Sequence, residues 1–215
     1  MATKQVNPTR MELTRLKKKL ATATKGHKLL KDKRDELMRQ FLDMVKVNKQ
    51  LREKVEKAIT EANKNFVLAS ASMSVEALSS AMLAPKQEVY LEVGSKNIMS
   101  VDVPQYKVSY RTPDKSDMFC YGLAFTSCDL DDAVSSLSDV LPDMLRLAEV
   151  EKSCQLMADE IEKTRRRVNA LEHVMIPETK ESIRFITMKL DENERATQTR
   201  LMKVKDMMLK EAHGY

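Results

Sequence analysis

The residues of this chain that could carry chemistry are three cysteines, three histidines, four glycines, an Asp pair and a run of lysines. Cys120, Cys128 and Cys154 are odd in number and lie 8 and 26 residues apart. No CxxC pair occurs, so their spacing speaks against a zinc site and against a disulfide framework. It suits a reducing cytoplasm. His27, His173 and His213 have no HExxH or cysteine partner at ligand spacing. His173 stands between Leu171 and Val174 in a helical pattern and reads as a packing or interface residue. Gly26, Gly94, Gly122 and Gly214 cannot build GxGxxG or GxxxxGKS/T, so no nucleotide cradle is expected. Asp131 and Asp132 lie in an acidic segment and read as a solvated helix start. No catalytic residue, metal or cofactor is expected, and the chain is not read as an enzyme.

The lysines are concentrated in "KKKLATATKGHKLLKDKRDEL", residues 17–37. Residues 1–40 hold 12 Lys and Arg against 4 Asp and Glu, or +8, whereas residues 84–143 hold 5 against 10, or −5. Three readings fit the basic stretch. A nucleic-acid arm would want interleaved aromatics and a fold signature, both missing, and Asp32, Asp35 and Glu36 dilute the phosphate field. A solvated coiled-coil face explains any single lysine. An acidic protein surface explains the patch best. Gly26 costs about 1 kcal/mol against Ala in a helix, and its missing side chain would let another backbone come close.

The elements that must position these residues follow from composition. With 4 Gly, 6 Pro, no Trp and 5% aromatics, the chain can neither punctuate many short elements nor fill a thick core, so long helices with a thin seam are predicted. Thr9 with Glu12 fits a capping box, with Asn7-Pro8 as the alternative start. From Leu13 a 3-4 alternation runs to Ala69, with 13 of 17 positions apolar, which is a coiled-coil seam. His27, Arg34, Asn48 and Asn65 interrupt it and set register. Helix is expected to about Leu83, ended by Ala84-Pro85. No apolar run is long enough for a membrane span, and the N-terminus lacks the apolar region of a signal peptide.

Three segments are predicted: an N-terminal coiled-coil helix over 1–84, an insert over 85–128, and a C-terminal helical segment over 129–215. In the insert, 86–93 and 97–103 alternate with period two and are expected to form a hairpin around Gly94-Ser95, at the end away from the termini. In the last segment Pro142 and Pro177 are expected breaks or kinks and Gly214 a stop. The seam there takes Met157, Ile161, Thr164, Val168, Leu171 and Met175, then Ile183. Met175 to Ile183 is eight residues instead of seven, so a kink at Pro177 must absorb one residue of phase. The fold class is therefore all-α dominated: a long antiparallel two-helix coiled coil with a small β-hairpin insert. If the helix ends near 84 and 141 are level, residue i faces roughly residue 225 − i, to within about a turn. That rule puts Arg34 near Asp191, Glu192 and Glu194, where a register-setting ion pair is expected, and gathers Met11, Met202, Met207 and Met208 at one end.

Two blocks, "NPTRMELTRLKKKLATATKGHKLLKDKRDELMRQF" and "LAEVEKSCQLMADEIEKTRRRVNALEHVMIPETKESI", resemble the D subunit of the vacuolar/archaeal-type rotary ATPases, a family also found in bacteria. The resemblance runs from Asn7 to about Asp206 and is weakest over 85–128. It implies a central rotor axle whose paired termini enter a ring of catalytic A and B subunits. It also implies a middle that binds the small F subunit, and a lower end that docks on the funnel-like subunit capping the membrane rotor ring. ATP hydrolysis or synthesis would thereby be coupled to proton or sodium movement. The location implied is cytoplasmic and peripheral to the membrane through the complex, with no direct membrane insertion and no nucleic acid. On this reading Met11, Lys17, Lys18, Lys19, Lys25, Gly26, His27, Lys28, Met202, Met207 and Met208 face the catalytic ring. Arg165, Arg166 and Arg167 are candidates for binding the F subunit, and Arg34, Asn48 and Asp191 set register. A prefoldin-like chaperone also pairs two helices around a hairpin, but would want apolar tips where this chain is cationic. A basic coiled-coil nucleic-acid binder is the remaining alternative.

Overall fold

The computed structural model describes residues 6–84, 86–112, 114, 118–122 and 126–212. Pro85, His213 and Gly214 lie outside the described residues. Two long helices dominate, one at each end of the chain, with an antiparallel two-stranded hairpin between them. Helix α1 is unbroken over Arg10–Ser72. Its start is the expected cap: Thr9 Oγ1 accepts the Glu12 backbone N–H at 3.2 Å. Its end comes earlier than the expected Leu83. Ser72 Oγ donates to the Ala69 carbonyl at 3.0 Å. Ser74, in extended backbone, then accepts from the Ala77 N–H and starts a separate short helix, α2 (Val75–Ala81). A serine that satisfies the free amides of a new helix makes a break cheap there.

The chain divides into two compact units, 1–35 with 162–215, and 36–161. Each holds part of both long helical segments. In the second unit α1 runs antiparallel to α3 (Cys128–Ala170). Lys54 meets Asp143 at 2.6 Å, Arg52 meets Glu151 at 3.8 Å, and Ser72 Oγ reaches Asp129 at 3.5 Å. Residue i therefore faces roughly residue 200 − i, a correction of about 25 residues, or seven turns, to the expected register. The cause is the end of α1 at Ser72 together with the start of α3 at Cys128, each about 12 residues earlier than expected. Asp129 and Asp131 occupy its first turn, where carboxylates complement the helix dipole. Leu130, Ala133 and Val140 are buried. The helix gains enough from that burial to continue through Pro142, which is not a break.

Strands β1 (Val89–Ile98) and β2 (Val101–Tyr110) pair antiparallel, with Ile98 opposite Val101 and Val89 opposite Tyr110. The turn is Met99-Ser100, not Gly94-Ser95, which lies inside β1 opposite Gln105 and Pro104. Met99 and Ser100 have φ of 49° and 71°, as a two-residue turn matched to strand twist requires. Asn97 holds it, its Oδ1 accepting the Ser100 N–H at 3.0 Å and its Nδ2 donating to Asp102 at 2.6 Å. The hairpin does not sit apart at the end of the helices. Val101 and Val103 are buried in one cluster with Leu37, Met157 and Ile161, flanked by Phe41, Met44, Ile98 and Leu156. A second cluster joins Ala69, Ala81 and Leu130 to Phe66, Met73, Leu78, Tyr121 and Val134. There the Tyr121 hydroxyl donates to Asp131 at 2.7 Å. Burial first, and that bond second, raise the phenol well above its ordinary pKa.

In the first unit α1 is paired with the end of α3, a π-helical turn over Leu171–Met175, and α4 (Ile176–Ala212). Arg10 meets Glu194 at 2.5 Å and His27 Nε2 lies 3.3 Å from Glu172. The phase slip read from the sequence is present, but it lies earlier. The Ile176 N–H donates to the Leu171 carbonyl, five residues back, so this turn holds one residue more than an α-turn. The inward positions run Thr164, Val168, Leu171, Ile176, Thr179, Ile183, Ile186 and Leu190, all buried or half-buried. Met175, expected on the seam, is exposed, and Ile176 takes the place. Pro177 stands where the ladder must lose a donor in any case.

Candidate functional site

Lys17, Lys18, Lys19, Lys25 and Lys28 are all exposed on α1, and none forms an ion pair among the described residues. At 100° per residue, Lys17, Lys18, Lys25 and Lys28 share a sector of about 100°, and Lys19 lies about 100° further round. The patch is thus four cations on one face, not five. Leu29, also exposed, falls beside Lys18 and Lys25. Lys19 instead lines a cleft of about 540 Å³ with Val6, Glu12, Arg15, Glu178 and Thr179. Gly26 is on the helix with no atom within 4 Å of where a Cβ would stand. The described residues leave that space open. His27 stays on the seam side, held by Glu172.

The register correction separates the methionines. Met11 is on the first turn of α1, whose start is level with Glu194. Met202, Met207 and Met208 lie eight or more residues beyond that level, about 12 Å or more along the helix. From about residue 195 onward α4 has no partner helix among the described residues, and every residue of 191–211 is exposed. This overhang carries Leu201, Met202, Val204, Met207, Met208 and Leu209, interleaved with Arg200, Lys203, Lys205 and Lys210. Sequence reading placed those residues level with Met11 and not on an unaccompanied helix, because the offset of the two helices is not written in either one.

The expected pairing of Arg34 with Asp191, Glu192 or Glu194 is not formed. Arg34 donates to the adjacent Asp35 at 2.7 and 3.0 Å. The three acids lie level with the start of α1 instead. Glu194 takes Arg10 and Glu192 takes Lys189 at 2.8 Å, whose bond holds the Glu192 carboxyl below its usual pKa. Asp191 is exposed. Asn48 is half-buried, and its Oδ1 has no hydrogen-bond partner among the described residues, a cost that a polar seam residue carries in any register that buries it. Arg165, Arg166 and Arg167 are all exposed, with Arg166 paired to Glu162. Sequence reading missed an exposed apolar stripe, Met38, Leu42 and Val45, on α1 in the second unit. Its i, i+4, i+7 spacing beside the seam was the signal that could have revealed it.

Among the described residues no three His, Cys, Asp or Glu side chains converge as a metal site, and no helix is long and apolar enough to cross a membrane. Cys154 is buried, and burial followed by the nearby Glu151 pushes its thiol pKa up, away from the reactive thiolate. What remains is surface: a cationic face, an unaccompanied helix, and a hairpin anchored by its tip. Comparison with known proteins gives this arrangement a family. The family model for the D subunit of ATP synthase matches residues 12–206. A protein of Acetivibrio thermocellus, described as the D subunit of a V-type ATP synthase, is 61% identical over 215 residues, covering 100% of this chain and 97% of the relative. Proteins of the same description from Clostridioides difficile and Clostridium novyi are 62% and 59% identical. They cover 99% and 98% of this chain, and 95% and 98% of their own lengths. This chain belongs to the D-subunit family of ATP synthases, as a component of a V-type rotary ATPase.

Proposed function

We propose that the chain is the central shaft of the complex, turning inside the ring of A and B subunits and passing torque to the membrane rotor. ATP hydrolysis or synthesis in the ring is thereby coupled to movement of protons or sodium, and the shaft itself performs no catalysis. The observation that carries this reading is the α4 overhang, in a chain that matches the D-subunit family over nearly all its length. A stretch of helix with exposed Leu, Val and Met side chains and no partner helix among the described residues is costly to leave in water, at about 25 cal/mol per Å² of apolar surface. An encircling sleeve supplies the missing cover. Methionine suits a surface that must turn, since its flexible thioether adapts to successive neighbours without one deep minimum.

The cationic sector of Lys17, Lys18, Lys25 and Lys28 adds attraction to acidic loops of the ring. Each exposed pair contributes only about 0–1 kcal/mol, so the sector acts collectively and yields to salt. Arg165, Arg166 and Arg167 remain our candidates for binding the small F subunit. The segment between α1 and α3 is assigned to the funnel-like subunit. Attachment to the membrane is through these partners.

The test is a chain ended after Glu194, reconstituted with the other ATPase subunits. We expect the free helix pair to melt as before, because residues 195–211 are all exposed. Retention in the ring and ATP-driven rotation should fall together. A truncated shaft that rotates and couples as the full chain does would remove the basis of the proposal. Reversing Lys17, Lys18, Lys19, Lys25 and Lys28 together should weaken docking most at low salt, and single changes should do little.

A further inference from the structure

The hairpin presents an apolar face that the described residues leave largely exposed. The Arg111 N–H donates to the Glu88 carbonyl at 3.0 Å, which fixes the phase of the ladder. Residues 90, 92, 94, 96 and 98 are hydrogen-bonded pairs, and 89, 91, 93, 95 and 97 are the non-hydrogen-bonded ones. Side chains of the two sets point to opposite faces. One face carries Val101 and Val103 into the helix pair near the tip, and Glu92 and Lys107 nearer the base. The other stacks Val89 on Tyr110, Leu91 on Val108 and Val93 on Tyr106, followed by Pro104. Val93 is 66% exposed, and Leu91, Val108 and Tyr110 are exposed as well.

We infer that this outer face is a docking surface for one amphipathic α-helix of another protein of the assembly, whose contacting stripe is uncharged. Charge argues for the occupant. None of the seven side chains is Asp, Glu, Lys, Arg or His, and the charged groups at either end are already engaged. Glu88 holds Arg111 at 3.9 Å and accepts from Tyr90, and Asp102 accepts from Asn97. Lys96 and Lys107 sit on the opposite face, so no cationic rim serves a phosphate or an anionic lipid surface. Dimensions agree. Two strands about 4.8 Å apart make a ribbon about as wide as one helix, and Val89–Val93 spans about 14 Å, or two and a half helical turns. Strand addition fits less well. Pro104 occupies a non-hydrogen-bonded position opposite Ser95, so its nitrogen faces the outer edge and removes a donor midway along it. An added strand would also leave the side-chain face bare.

The inference rests on the chain being part of an assembled rotary ATPase. The test places a benzoylphenylalanine photocrosslinker at Val93 or Val108 in the purified, ATPase-active complex, with Glu92 as the control on the other face. Positions 93 and 108 should link to one other protein of the complex, at residues three or four apart, and position 92 should not. A Val93→Glu chain should keep the melting behaviour of the free protein, since the side chain is exposed, yet be retained about tenfold less tightly, the equivalent of about 1.4 kcal/mol. Links spaced two apart, links to a second copy of this chain, or equal retention of Val93→Glu would overturn it. Absence of any link while the chain sits in an active complex would do so as well. A chain that never enters such a complex would instead defeat the function proposed above.

Discussion

Deleting one residue from a helix ordinarily turns everything beyond it by about 100°. In this chain the π-turn makes a single place where deletion should repair the pattern. The inward steps from Thr164 to Leu190 are 4, 3, 5, 3, 4, 3 and 4, and the five spans Leu171 to Ile176. Removing the exposed Val174 makes that step four and leaves an uninterrupted heptad seam. Pro177 would then lie inside a regular helix, at about 3 kcal/mol, so the informative variant is the Val174 deletion combined with Pro177→Ala. Its counterpart is deletion of exposed Lys180, which turns Ile183, Ile186 and Leu190 off the seam. Ile186 is fully buried and the other two are half-buried. At about 1.5–3 kcal/mol for a fully buried side chain, the loss is roughly 3–6 kcal/mol. For a chain of this size that lowers Tm by about 6–24 °C. Circular-dichroism melts of the free protein should order the variants: the double change equal to or above wild type, the Val174 deletion alone about 3 kcal/mol below it, and the Lys180 deletion lowest. If the double change falls as far as the Lys180 deletion, the π-turn is not what keeps the seam in phase.

Val103→Asp should destabilise the second unit by about 3–5 kcal/mol, the cost of a buried carboxylate without a partner, seen as a loss of helical signal in urea melts. A hairpin independent of the helices would leave that signal untouched. Gly26→Ala should raise the stability of the free chain by about 1 kcal/mol, because the added Cβ meets nothing among the described residues. Gly26→Leu should lower ATP turnover of the reconstituted ring, and unchanged turnover would mean that no partner backbone approaches at this position.

Composition and periodicity were enough for a good part of this protein. Few glycines and aromatics with a 3-4 apolar alternation leave long helices as the only way to bury a thin seam. Period-two segments between them make a hairpin. The extra residue near Pro177 was readable as a break in the count, since phase is a local property. The residue blocks around Lys17–Leu37 and Arg165–Pro177 were enough for the family. What the sequence could not supply were quantities that depend on two segments at once. The register of the helix pair is set by where α1 ends and α3 begins, and that was decided by Leu130 and Val134 packing with Phe66 and Ala69 at the end of α1, a gain large enough to carry the helix through Pro142. From that offset follow the failed pairing of Arg34, the separation of Met11 from Met202, and the overhang of α4. The hairpin turn was misplaced because Gly94-Ser95 is the stronger local turn signal, while Met99-Ser100 is imposed by Asn97 and by the burial of Val101 and Val103 against Leu37, Met157 and Ile161. Local propensity is worth about 1 kcal/mol per residue. Two buried valines outweigh it, at about 1.5–3 kcal/mol each, and only the tertiary structure says which valines they are.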